Sequence, residues 1–163
     1  MQTKYEGDLE ALLDWAQTVN WAERQFDTAP EPYRSWVMEL MPKQYRNTLW
    51  HLFGMVNPRS ELNTPEWVQG YPHIHTRTAN LKPDVLTAIT YLRVAEEGGE
   101  FAMGGLEEDG PYETIIPEPG LTVICDAETW HGVRPVRKGT RIALISTGLE
   151  SKDDPYAGME VRR

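Results

Sequence analysis

Between residues 71 and 148 the chain is a succession of short runs rich in β-branched and aromatic residues, each closed by Pro, Gly or Asn. The run Val85-Leu86-Thr87-Ala88-Ile89-Thr90-Tyr91-Leu92 suits the pleated, half-buried surface of a strand. Thr114-Ile115-Ile116, Leu121-Thr122-Val123-Ile124-Cys125 and Arg141-Ile142-Ala143-Leu144-Ile145-Ser146-Thr147 read the same way. Pro117-Glu118-Pro119-Gly120 and Arg137-Lys138-Gly139-Thr140 have the composition of turns. Short strands at such close spacing predict a sandwich or a barrel.

Ahead of this region the periodicity is helical. Leu9, Leu12, Leu13, Ala16 and Val19 recur at three- and four-residue steps, with Asp8 placed as an N-cap. Pro30-Glu31-Pro32 breaks the chain, and Trp36, Val37, Leu40 and Met41 form a second apolar stripe after it. His51, in Leu49-Trp50-His51-Leu52-Phe53, belongs to a strand or a helix end and reads as a structural or solvent-facing histidine. The expected organisation is one domain over residues 1–163, mostly β with N-terminal helices. Residues 1–60 act mainly as helical support, and the β core covers 71–148. The last dozen residues, from Ser151, read as a polar tail.

Composition narrows the partners. A formal charge of −9 argues against wrapping nucleic acid, whose phosphates need Lys and Arg to neutralise them. No stretch approaches the roughly 18 apolar residues that cross a bilayer, and Met1-Gln2-Thr3-Lys4-Tyr5-Glu6 does not begin a secretory signal. The single cysteine, Cys125, sits in an apolar run and reads as a buried, inert thiol in a reducing, cytoplasmic setting. A small-molecule substrate suits this acidic surface, and the Trp- and Leu-rich N-terminus suits either internal packing or a homodimer interface.

The chemistry lies in Tyr71-Pro72-His73-Ile74-His75-Thr76-Arg77, in Trp130-His131-Gly132-Val133 and in Arg141. Side chains alternate along a strand, so His73 and His75 share a face and can hold one metal, with a third ligand from another strand. Neutral imidazole is the commonest side-chain ligand for a redox metal, and three ligands on one face leave the other open. Arg141 is flanked by Ile142-Ala143-Leu144-Ile145, and a charge that enters a buried strand usually has a partner there. Together these residues suggest a metal-plus-oxoacid site.

Several segments, taken in order, resemble the Fe(II)- and 2-oxoglutarate-dependent dioxygenases, in particular the small prolyl-hydroxylase-like branch. Thr90-Tyr91-Leu92-Arg93 is similar to that family's Tyr-Leu-Asn strand, and Gly98-Gly99-Glu100-Phe101 to its Gly-Gly-Glu-Leu turn. Ile116-Pro117-Glu118-Pro119-Gly120 is similar to its Pro-Lys-Pro-Gly segment. Trp130-His131-Gly132-Val133 and Gly139-Thr140-Arg141 fall at its distal His and 2-oxoglutarate Arg. The resemblance covers residues 71–148 and implies a double-stranded β-helix, a jelly-roll or cupin-like barrel. It further implies His131 as distal metal ligand, with Arg141 and Tyr91 holding the far carboxylate of 2-oxoglutarate.

The early ligand motif departs from the family. The pattern there is His-x-Asp, and no such acid is present. Counting back from Tyr91 without gaps places His75-Thr76-Arg77 on the motif, with Arg77 where the carboxylate belongs. A shift of two residues places His73-Ile74-His75 there, giving a neutral His73, His75 and His131 triad, the register preferred here because no cation then faces the metal. Arg77 then shapes or charges a substrate pocket together with Trp130, whose indole serves equally well as core packing. The expected activity is oxygenation of a small molecule with Fe(II) and 2-oxoglutarate. Two other outcomes stay open: a three-His, cupin-like metalloenzyme independent of 2-oxoglutarate, and a barrel that has lost its metal and binds a small acid.

Overall fold

The computed structural model describes residues 1–18, 29–42, 50–58, 85–107 and 110–148; along 50–58 only the backbone path is described. Both expected helices form. In α1 (Leu9–Thr18) the Asp8 carboxylate accepts the Ala11 amide proton at 2.9 Å, which satisfies one of the orphan donors of the first turn. The stripe of Leu9, Leu12, Leu13 and Ala16 faces the β core, with Leu12 and Ala16 fully buried. In α2 (Tyr33–Leu40) Tyr33 and Val37 take the same role.

The helices cover one side of a five-stranded antiparallel sheet with the order β1-β7-β3-β10-β2. Its strands are β1 (Gln2–Lys4), β2 (Trp50–Pro58), β3 (Leu86–Arg93), β7 (Leu121–Asp126) and β10 (Thr140–Gly148). Both outer strands come from the segment read from sequence as helical support: β1 pairs with β7, and β2 runs the full length of β10. His51 therefore lies on a strand, opposite Thr147. A smaller sheet sets β5 (Phe101–Met103) between β6 (Glu113–Ile115) and β8 (His131–Val133). A two-stranded ladder joins β4 (Glu97–Gly98) to β9 (Val136–Lys138).

Strand alternation gives the large sheet two different faces. Ala88, Leu92, Ile124, Ile142 and Leu144 pack against the helices. Ile89, Tyr91, Val123, Cys125, Ala143 and Ile145 point the other way and meet Phe101, Ile115 and Val133 of the smaller sheet. The chain passes from β3 to β5 and β6, back to β7, across to β8 and back to β10, so these two sheets form facing layers around a shared core. The fold is mostly β with two helices among the described residues, as the sequence predicts, and neither helix is long and apolar enough to cross a membrane.

A buried line of hydroxyls ties the helix layer to the sheet. Tyr33 donates to Thr90 at 2.9 Å, Thr90 and Thr122 are 2.9 Å apart, and Thr122 donates to the Gly120 carbonyl at 3.4 Å. The Tyr33 ring packs edge-on against Tyr5, with centroids 5.2 Å apart. Burial pushes the Tyr33 phenol from 10.0 to about 12. An unfolded tyrosine thus releases its proton first, and between those values the native state holds more protons than the unfolded state. Stability is fully present below the ordinary tyrosine range and is lost as the pH rises through it towards about 12. Tyr33→Phe should cost about 1 kcal/mol in urea unfolding at neutral pH, and it should flatten the alkaline loss of stability.

Candidate functional site

Arg141 is the largest fully buried side chain among the described residues, with 1 % of its surface exposed. It sits near the start of β10 on the inner face, two residues before Ala143. Its guanidinium carbon lies over the Tyr91 ring, 4.8 Å from the centroid, a cation–π arrangement that is stronger out of water. Tyr91 lies directly opposite Ala143, so strand pairing brings the two residues together.

Two local features border the Arg141 side chain. The first is a bulge between β3 and β10, where Ile142 opposes Arg93 and Ala143 opposes Tyr91. An unbroken register would set Arg93 opposite Arg141, two like charges on one buried face. With the bulge, Arg93 is displaced and exposed to solvent. The second is the turn at Gly98 and Gly99, with φ of 79° and 76°. A Cβ at Gly98 would run into the Pro135 carbonyl, and one at Gly99 would stand 3.3 Å from Val136 Cγ2 and 3.7 Å from Arg141 Cδ. Only glycine holds that backbone without strain beside the arginine stem.

The Tyr91 hydroxyl is buried and has no hydrogen-bond partner among the described residues. Burial raises its phenol above the ordinary range, and the Arg141 charge offsets only part of that shift. It is therefore a neutral donor beside a permanent cation. A buried hydroxyl donor next to a buried guanidinium is a pair that a carboxylate can accept from.

His131 opens β8 opposite Met103, is 4 % exposed, and shares its strand face with Val133 of the inner core. Its ring stacks on Phe101 with centroids 5.7 Å apart and planes 23° apart. Nδ1 lies 2.8 Å from the Thr129 carbonyl and 3.9 Å from Cys125 Sγ. A carbonyl can only accept, so Nδ1 carries the proton and Nε2 keeps the lone pair that a metal needs. Cys125 is a neutral thiol, pushed from 9.0 to about 12 chiefly by burial. The inert reading of that cysteine suits this environment.

Contacts on the inner face link these groups: His131 stacks on Phe101, which shares a packed cluster with Tyr91, over which Arg141 lies. His73, His75 and Arg77 lie outside the described residues. Among the described residues no three His, Cys, Asp or Glu side chains are grouped to hold a metal, so His131 is the one described candidate ligand. Trp130, marked from sequence as a pocket residue, is buried, and its amide and carbonyl both bond to the Gly104-Gly105 segment. Phe101, Thr129 and Asp126 escaped the sequence reading, although Asp126-x-x-Thr129 is a recognisable turn signature.

A separate hollow of about 260 Å³ is lined by Glu100, Thr114, Arg134, Pro135 and Arg137. It includes none of Tyr91, His131 or Arg141, and the Glu100 carboxylate partly balances its two arginines. The buried polar groups, not the size of this hollow, mark the site.

No family model matches the chain, and no curated protein sequence matches it either. In three dimensions it is similar to a Pseudomonas putida prolyl-4-hydroxylase, with 17% identity and a TM-score of 0.64 over 95% of this chain and 87% of that one. It is also similar to a viral collagen prolyl hydroxylase of Paramecium bursaria Chlorella virus 1, solved as its 2OG complex. There the identity is 14% and the TM-score 0.58, over 90% of this chain and 93% of that one. At these identities the likeness is one of fold, and the fold is that of the prolyl hydroxylases.

Gly99→Ala should destabilise the protein by about 1–2 kcal/mol, because it forces an L side chain into left-handed backbone. Gly105→Ala, where a Cβ meets nothing within 4 Å, should stay within about 0.5 kcal/mol of the parent. Thermal or urea unfolding of the two variants side by side checks the pair.

Proposed function

We propose that this chain is a non-haem Fe(II)- and 2-oxoglutarate-dependent oxygenase acting on a small molecule, built on a double-stranded β-helix closed around the inner face. The observation that carries this reading is the buried Arg141–Tyr91 pair, a cation beside an unsatisfied donor, in the same core as an inward-facing His131. The prolyl-hydroxylase-like fold supports it. In this reading His131 offers Nε2 to the metal, and His73 and His75 complete a neutral three-histidine set in place of His-x-Asp.

Arg141 and Tyr91 bind and orient the far carboxylate of the oxoacid: the guanidinium supplies charge and the neutral phenol donates a hydrogen bond. Phe101, Val123, Ala143 and Ile145 surround this part of the inner face with apolar side chains, which strengthens such a pairing. When bound, Fe(II) and 2-oxoglutarate would activate dioxygen, one oxygen atom oxidising the oxoacid to succinate and carbon dioxide and the other hydroxylating a substrate C–H bond. Arg77 is assigned to the substrate, and Trp130 to the wall beside His131. The buried thiol of Cys125 suits a reducing compartment such as the cytoplasm.

Anaerobic addition of Fe(II) and then 2-oxoglutarate to metal-free protein should develop the weak visible band of the chelate. His131→Ala should abolish it, and His73→Ala and His75→Ala should each weaken it. Arg141→Lys should lower 2-oxoglutarate affinity by about 10–100-fold, since the planar fork is replaced by a point charge. Tyr91→Phe should lower it by about 10-fold, the worth of one hydrogen bond to a charged group. Fe(II) bound without any response to 2-oxoglutarate would favour the cosubstrate-independent enzyme. Dicarboxylate affinity without bound iron would leave a binding barrel.

A further inference from the structure

The reversal between β7 and β8 is cross-braced to a degree that its length does not require. Asp126 closes β7, paired with Leu86, and His131 opens β8. Between them the Asp126 carboxylate oxygen Oδ1 accepts two hydrogen bonds, from the Glu128 amide at 3.0 Å and from the Thr129 hydroxyl at 2.7 Å. The Asp126 carbonyl accepts a third, from the Thr129 amide at 3.3 Å. Three bonds thus converge on one residue, two of them on a single carboxylate oxygen, and two of the three come from Thr129. The peptide that follows the clamped Thr129 carries the carbonyl that accepts the His131 Nδ1 proton at 2.8 Å. Ala127, inside the turn, is fully buried, so the reversal cannot swing outward without exposing apolar surface.

We infer that Asp126 is a positioning residue for His131: its side chain fixes the Thr129 carbonyl, which holds the neutral imidazole in the Nδ1-protonated tautomer and leaves the lone pair on Nε2. The stacking of Phe101 sets the plane of the ring, and the carbonyl sets its rotation and its proton. A ligand histidine with its second nitrogen held in this way is both oriented and more basic at the ligating nitrogen. The inference rests on the reading of His131 as a metal ligand for its use, but the tautomer itself is a property of the metal-free protein. A neutral set of three histidines draws more on this device than a His-x-Asp set would, because no carboxylate compensates for a badly turned imidazole.

The test uses the full chain labelled with ¹⁵N at histidine, free of metal, at a pH above the ordinary histidine range. Long-range proton–nitrogen correlation spectra distinguish a protonated Nδ1 from a protonated Nε2, and loss of one pattern in His131→Gln assigns the signal. The parent and Asp126→Asn, which keeps the Oδ1 acceptor, should both show His131 with protonated Nδ1. Asp126→Ala should show a mixture of tautomers, and its Fe(II) affinity should fall about 10–100-fold while Asp126→Asn stays near the parent. Should Asp126→Ala fail to fold, Thr129→Ala, which removes one clamp and keeps the carbonyl, should give a smaller shift in the same direction. A parent protein with protonated Nε2, or an unaltered tautomer in both Asp126→Ala and Thr129→Ala, overturns the inference. The expected tautomers in a parent that binds no Fe(II) would overturn the metal reading alone and leave Asp126 as the group that sets the imidazole.

Discussion

A guanidinium with 1 % of its surface exposed, in the middle of an antiparallel sheet, is the constraint around which the inner face is arranged. An isolated buried charge costs several kcal/mol, and arginine cannot escape by losing its proton. The chain meets this demand with geometry. The bulge on β3 keeps Arg93 off the same face, the Gly98–Gly99 turn runs beside the arginine stem, and Tyr91 offers its ring to the cation. The bulge and the glycine turn each weaken the local structure when taken alone, whereas the ring contact is favourable. Together they are the surroundings of one buried charge.

One sheet carries two kinds of polar burial, and the contrast is instructive. On the helix side Tyr33, Thr90, Thr122 and the Gly120 carbonyl satisfy one another in sequence, and the result is structural. On the inner side the Tyr91 hydroxyl is left unsatisfied among the described residues, next to Arg141. Thr87 and Thr147, further along that inner face, are 3.2 Å apart and complete. Ser146 Oγ on β10 is a second buried hydroxyl without a partner among the described residues, so what sets Tyr91 apart is its location beside the buried cation.

Much of this was legible in the residues. The strand runs around Tyr91, Val123 and Leu144 and the helical stripe behind Asp8 announced themselves by period, because burial of one face imposes that period. Arg141 stood out as a charge in an apolar run, and its burial bears out that it enters the core. What was not legible was long-range pairing. Gln2-Thr3-Lys4 has no strand signature of its own and becomes one only because β7 offers an edge. The residues from Trp50 to Pro58 read ambiguously until β10 is seen alongside them. The bracing of His131 was hidden for a related reason: its partner is a backbone carbonyl, and backbone groups carry no letter in a sequence.

The absence of a His-x-Asp acid shifts where negative charge must come from. In the proposed reading, with three imidazoles as the only protein ligands, the site would give a divalent metal no anionic donor, and the oxoacid would be the source of the compensating charge. Metal and cosubstrate would then each bind weakly alone and each strengthen the other, since linkage makes the effect reciprocal. Arg141 gains importance in such an arrangement, because it holds the far end of the molecule that neutralises the metal. A site built in this way would release its metal when the oxoacid is scarce. A His-x-Asp site, with its own carboxylate, would hold the metal through the same change. On the proposed reading, imidazole in place of carboxylate would change more than affinity: occupancy of the metal position would depend on the same small acid that Tyr91 and Arg141 are proposed to bind.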